Sequence, residues 1–253
     1  MLELKISENL KALVRDKRVA FVGPAPYLKG HALGSLINDY DIVCRVNDII
    51  PPEDLRSDYG NRTDVMFHNL GTPWMDGLKR KIEQYPEDWE QLKMVVCPVV
   101  KSDHSETNYL SWADHYVSNV VRNFDSVNIH RTDFSWIGMK TYKRLYADIG
   151  VEFNSGLGGM IMLMNCPLEE LFITGFTFYM GGHQHDDLYY TGHWDPLDLA
   201  RTTVGINGGH GARANATQIE YFRNMVNSGV DKLRIDSHLN QIMSLSHNNV
   251  LGL

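Results

Sequence analysis

The chain has 253 residues, with 31 acidic against 24 basic side chains, a formal net charge of -7, 43% hydrophobic and 22% charged residues. That apolar content is enough to bury a sizeable core and excludes disorder as the main state. The acidic balance argues against a duplex nucleic-acid binder, which must neutralise phosphates.

Cys44, Cys97 and Cys166 are scattered and form neither a metal-binding spacing nor a disulfide scaffold, which suits a reducing compartment. Met1 to Lys5 lacks the apolar core of a signal peptide, and no run of about 18 apolar residues occurs. The expectation is a cytoplasmic protein without a membrane span.

In chain order, Leu4, Leu10, Leu13 and Val14 suggest a short amphipathic helix. Val19 to Val22 is an apolar run of strand length ending at Gly23-Pro24-Ala25-Pro26, as buried parallel strands read. Leu28 to Leu36 predicts a helix. Asp41–Val46, Asp64–Phe67 and Met94–Val100 predict further strands. Ser102 to Arg144 has no clear period. Gly158 to Asn165 predicts a helix and Leu171 to Thr174 a strand. Thr217 to Val226 predicts a last helix, with Gly229 as its stop. Alternating strands and helices without a repeat or linker predict a single α/β domain over residues 1–253, with a mostly parallel sheet flanked by helices.

Ligands of open α/β sheets bind beyond the carboxyl ends of strands. The first such place joins Gly23-Pro24-Ala25 to Arg45-Val46-Asn47-Asp48, where Gly23 permits close backbone approach and Asn47 offers donor and acceptors. The same residues serve equally as a tight turn and helix cap. The second is Asn154-Ser155-Gly156-Leu157-Gly158-Gly159, a glycine-rich turn opening a helix, which suits a phosphate and fits an ordinary capped helix equally well.

The last third is rich in histidine. His183, His185 and Asp186 have a metal-like spacing, though surface loop histidines explain it more simply. His210, between glycines in Gly208-Gly209-His210-Gly211, is placed to act as a general base or stands as a solvated loop residue.

In order, these pieces resemble the animal-type sialyltransferases, glycosyltransferase family 29. Val19 to Gly23, Leu28-Lys29-Gly30, Gly34, Ile37, Asp41, Val43, Arg45 and Asn47 resemble the long sialylmotif. Tyr59-Gly60-Asn61-Arg62-Thr63-Asp64 resembles the Gly-x-x-Thr-Thr stretch that follows it. Asn154-Ser155-Gly156 through Glu169-Glu170-Leu171 and Thr174-Gly175-Phe176 resembles the short motif. Asp187-Leu188-Tyr189-Tyr190 is similar to the tyrosine-rich third motif, and His210 with Glu220 to the very short motif.

The resemblance implies a variant GT-A architecture with one Rossmann-like sheet. It implies an inverting, metal-independent transferase that needs no cofactor beyond its CMP-sugar donor, of sialic-acid or Kdo type, and a glycan hydroxyl as acceptor. Carried over, Gly23, Ala25 and Asn47 meet the nucleotide, and Ser155 and Gly156 hold it at the helix entrance. Tyr189, Tyr190, His185 and His193 are candidates near the donor phosphate. His210 is the base, and Glu220 supports its loop. Pro24 stands where the family usually carries Asn, and Val19 where the first cysteine of its inter-motif disulfide would stand. Two other classes stay open: a metal-dependent hydrolase built on His183, His185, Asp186 and His210, and a non-catalytic nucleotide- or glycan-binding protein.

Overall fold

A computed structural model describes residues 6–47, 51–99, 118–128, 132–180 and 212–245. These residues build one α/β domain around a seven-stranded sheet. The strands are β1 (Arg18–Val22), β2 (Ile42–Val46), β3 (Val65–Phe67), β4 (Met94–Cys97), β5 (Asp133–Trp136), β6 (Glu170–Thr174) and β7 (Leu233–Ile235). Their order is β5-β4-β3-β2-β1-β6-β7, and every pairing is parallel.

The chain first walks outward from β1 to β5 and then returns to place β6 on the other side of β1. That reversal is a topological switch point, where α/β sheets open a ligand crevice. In register, Val22 lies beside Arg45 of β2 and Thr174 of β6.

Both faces of the sheet are covered, which is why its central strands read as apolar runs. On one face Val19 and Phe21, Cys44, Phe67 and Ile173 pack against α1 (Glu8–Val14), α7 (Met139–Ile149), α8 (Ser155–Met164), α9 (Ala212–Asn227) and α10 (Ser237–Ser244). On the other, Ala20, Val22 and Val43 pack with Tyr27, Ile37 of α2 (Gly34–Asn38) and Tyr59 of α3 (Arg56–Tyr59). Farther along that face, Met66, Val95 and Cys97 meet α4 (Thr72–Gln84), α5 (Pro86–Glu90) and the helical residues 118–125, here α6. No described helix is long and apolar enough to cross a membrane.

Several expectations are corrected. Leu28 to Leu36 is not one helix. A 3-10 turn over Pro26–Leu28 is followed by a bend with Gly30 at φ 83° and Ala32 at φ 53°, and α2 starts only at Gly34. Asp58 of α3 holds that bend by accepting from the Gly30 and Ala32 amides at 2.9 and 2.8 Å. The strand expected to reach Val100 stops at Cys97, before Pro98, which has no amide to donate. The last predicted helix is longer, Ala212–Asn227, and Gly229 follows it at φ 77°. The stretch without a clear period contains α6, the edge strand β5 and the start of α7.

Candidate functional site at the switch point

The carboxyl ends of β1 and β6 meet through two glycines. The Gly23 amide donates to the Thr174 carbonyl at 2.8 Å, and the Ala25 amide to the Gly175 carbonyl at 2.9 Å. A Cβ on Gly23 would lie 2.2 Å from the Gly175 oxygen, and one on Gly175 2.4 Å from the Gly23 oxygen. Gly23 is therefore required for strand-to-strand approach, and its amide and that of Ala25 are engaged inside the fold rather than presented to a ligand.

Beside this contact, β2 ends at Asn47, which holds φ 55° while its amide donates to the Phe67 carbonyl at 2.7 Å. Asparagine tolerates that left-handed conformation better than most residues. The twist turns the end of β2 over the switch point, and Asn47 lines the cleft there.

The opposite wall is the start of α8. Asn154 caps the helix, its side chain accepting from the Leu157 amide at 2.8 Å. The helix therefore begins at Ser155, three residues earlier than the expected Gly158. The Asn154 amide donates at 2.9 Å to Gln218 of α9, a side chain with 0% exposure, so two helices fix the cap. The Ser155 and Gly156 amides, at the first two helical positions, have no acceptor among the described residues.

The glycines of α8 divide their work. A Cβ on Gly158 would meet the Pro98 carbonyl at 2.7 Å, and one on Gly159 the Phe21 ring at 2.6 Å. Those two let the helix lie on the sheet. Gly156 faces the cleft, with the Phe176 ring 3.1 Å from a hypothetical Cβ.

The remaining wall follows β6. Phe176 packs on Phe21 with centroids 4.9 Å apart, and Phe21 packs on Phe67 at 5.1 Å, an aromatic file from the wall into the core. Then Thr177 to Met180 form a tight turn closed by the Met180 amide on the Thr177 carbonyl at 2.9 Å. Its two central residues, Phe178 and Tyr179, have φ of 49° and 63°.

Asn47, Asn154, Ser155, Thr177 and Tyr179 thus surround an open cleft of about 470 Å3, whose apolar lining includes Val46, Leu157 and Met160. No charged side chain of the described residues lines it. At its α8 wall two amides and the positive end of the helix dipole point toward the cleft, an arrangement that suits an anionic group.

The structure therefore brings Asn47, Ser155 and Gly156 together, with Gly23 and Ala25 behind them. Glu220 lies exposed on α9, and Gln218, which the sequence reading did not single out, makes that helix's contact with the α8 cap. His183, His185, Asp186, Tyr189, Tyr190, His193 and His210 lie outside the described residues, as does any metal site they would form. Among the described residues no cluster of His, Cys, Asp and Glu could hold a metal ion. Thr177, Phe178 and Tyr179 were missed. They directly follow the motif-like Thr174-Gly175-Phe176, and the strand-end rule already pointed past it.

A parallel sheet with helices on both faces and a crevice at its switch point, floored by a glycine contact and walled by a helix entrance, places the chain among the doubly wound α/β proteins, whose ligands bind at such a crevice. The profile of glycosyltransferase family 29 (sialyltransferase) matches residues 6–144, more than half of the chain. The chain belongs to that family and is a glycosyltransferase of sialyltransferase type.

Its structure is similar to that of the sialyltransferase CstII from Campylobacter jejuni in complex with the substrate analogue CMP-3FNeuAc. The TM-score is 0.52 at 15% identity, over 90% of this chain and 85% of that one. The cytidine-5'-monophosphate complex of CstII gives 0.52 at 17% identity, over 93% and 87%. A mammalian sialyltransferase in complex with Gal-beta-1-3GalNAc-ortho-nitrophenol gives 0.48 at 16% identity, over 89% and 71%. No curated protein sequence matches the chain significantly.

Proposed function

We propose that this protein transfers a sialic-acid-type sugar from a CMP-sugar donor to a glycan hydroxyl, with inversion, without a metal ion, and with His210 as general base. The observation that carries the reading is the cleft at the β1/β6 switch point, lined by Asn47 and by Ser155 and Gly156, whose amides have no acceptor among the described residues, in a family 29 chain. CstII, which shares the fold, has been captured with CMP and with CMP-3FNeuAc.

In this reading Asn47 hydrogen-bonds the nucleotide and the α8 entrance receives the donor phosphate. Tyr179 closes the remaining wall, and Tyr189, Tyr190, His185 and His193 complete the phosphate environment. His210 accepts the proton of the acceptor hydroxyl as its oxygen forms the new bond to the anomeric carbon. The bond from that carbon to the phosphate oxygen breaks, and CMP leaves with the electron pair. Fixed amide dipoles stabilise the charge that develops on the leaving phosphate. A monophosphate leaving group carries less charge than a diphosphate, so fixed donors suffice without a cation.

The experiment is turnover of CMP-sialic acid with a galactose-terminated acceptor in EDTA, for the wild type and His210→Ala. The wild type is expected to turn over, and His210→Ala to lose about 10²–10⁴-fold in kcat with CMP affinity retained. Near-normal turnover by His210→Ala refutes the base assignment. Loss of wild-type turnover in EDTA, restored by zinc or manganese, refutes metal independence. Use of CMP-Kdo in preference to CMP-sialic acid corrects the donor.

A further inference from the structure

The pair of buried Tyr27 and half-buried Asp236 is built like part of the cleft although neither residue lines it. Asp236 precedes α10, and its two carboxylate oxygens face different ways. Oδ1 caps α10 by accepting from the Leu239 amide at 2.7 Å. Oδ2 accepts from the Tyr27 hydroxyl, from Thr174 Oγ1 at 2.7 Å and from the Gly175 amide at 3.2 Å. The Tyr27 hydroxyl in turn accepts from the Gly175 amide at 2.8 Å. Tyr27 is 3% exposed. Burial first, then the Asp236 charge, pushes its phenol well above the ordinary range, so it stays a hydroxyl that donates to the carboxylate.

Apart from the α10 cap, everything this network grips belongs to the switch-point turn. Thr174 ends β6, its carbonyl takes the Gly23 amide, and the Gly175 carbonyl takes the Ala25 amide. Gly175, Phe176 and Thr177 form the cleft wall. An α10 cap needs only one carboxylate oxygen. Burying a tyrosine hydroxyl against the other is costly unless the full network is satisfied, and such networks specify one arrangement.

We infer that Asp236 and Tyr27 are positioning residues of the nucleotide cleft: through the Gly175 amide they set where the Gly175–Thr177 wall stands relative to Asn47 and the α8 entrance. This inference rests on the cleft being the CMP site.

Asp236→Asn separates the two roles, because asparagine keeps an oxygen for the α10 cap but turns an N–H toward donors that need an acceptor. Tyr27→Phe removes the hydroxyl alone. Tyr40→Phe is the control: its buried hydroxyl donates to Glu170 at 2.7 Å at the amino end of the same sheet.

Titration of the full chain with CMP is expected to show Kd raised at least fivefold in Tyr27→Phe and Asp236→Asn and unchanged in Tyr40→Phe. The double variant is expected to fall within twofold of the worse single, since coupled groups are not additive. Amide hydrogen exchange is measured beside it. Gly175 and Ala25 are expected to exchange at least tenfold faster in Tyr27→Phe, with β3 and β4 amides unchanged. CMP affinity equal to wild type in both Tyr27→Phe and Asp236→Asn overturns the inference, as does unchanged Gly175 exchange. A wild type that binds no CMP refutes the functional reading instead, and the exchange data still decide whether the pair holds the wall. Should Asp236→Asn fail to fold, Tyr27→Phe carries both measurements.

Discussion

At Phe178 and Tyr179 the backbone takes a conformation that bulky residues avoid, with φ of 49° and 63°. The turn is of the kind that asparagine and glycine usually make. Strain of this sort, about 1–2 kcal/mol per residue, persists where the surroundings over-determine it. Phe178 is held by the Phe222 ring of α9 at 5.8 Å, and Tyr179 forms cleft wall. The strain is readable by reversing the usual order of two small residues. Phe178→Gly is expected to be more stable than Phe178→Ala by about 1 kcal/mol in chemical denaturation, because only glycine reaches positive φ without a Cβ penalty. The ordinary order, alanine the more stable, refutes strain at this position. None of this was visible in Phe-Tyr as a dipeptide, since the turn is imposed by packing between β6 and α9. Asn47, by contrast, was legible, because a polar residue ending an apolar strand is a local signal.

Among the elements, α8 shows how one glycine-rich segment combines packing on the sheet with an end that opens on the cleft. Its sequence, Ser155 to Met164, is buried throughout. Gly159→Ala drives a methyl into Phe21 and is expected to cost about 1–3 kcal/mol, the usual penalty of overpacking. Gly77→Ala on α4 meets nothing within 4 Å and is expected to stabilise by about 0.5–1 kcal/mol. Equal effects in denaturation would refute the packing role of Gly159. At α10, His238 stacks on Tyr27 at 4.3 Å, with His31 edge-on at 5.5 Å and Asp236 beside it. Burial lowers the His238 pKa from its ordinary 6.5, with Asp236 acting in the opposite direction and His31 lowering it further. The unfolded chain therefore binds this proton more readily, so the contribution is fully present above pH 6.5 and declines as pH falls through 6.5 toward the folded value. Thermal melts from pH 7.5 to 5 are expected to fall less steeply in His238→Gln than in the wild type; parallel slopes refute it. The central strands β1, β2, β3, β4 and β6 were legible because strands buried on both faces need continuous apolar runs. The edge strands β5 and β7 were not, since Asp133-Phe134-Ser135-Trp136 and Leu233-Arg234-Ile235 break their apolar residues with polar ones, Asp133 and Arg234 exposed and Ser135 buried.

For the whole molecule, the strand order puts the reversal of the chain between β1 and β6, and that topology gathers residues far apart in sequence. Asn47, Ser155 and Tyr179 converge only because β6 returns beside β1. The two glycine-bearing loops were legible as separate candidates, and the strand-end rule gave each its place. Their union was expected only through the family resemblance, because it depends on a long-range pairing no local pattern encodes. The Tyr27–Asp236 link, which spans most of the chain, was not legible. The central claim is that this switch-point cleft is a cytidine monophosphate site. Isothermal titration of the full chain with CMP, UDP and GDP in EDTA tests it most directly. The account predicts one CMP bound per chain, with UDP and GDP at least tenfold weaker; UDP or GDP binding as tightly as CMP, or no CMP binding, contradicts it.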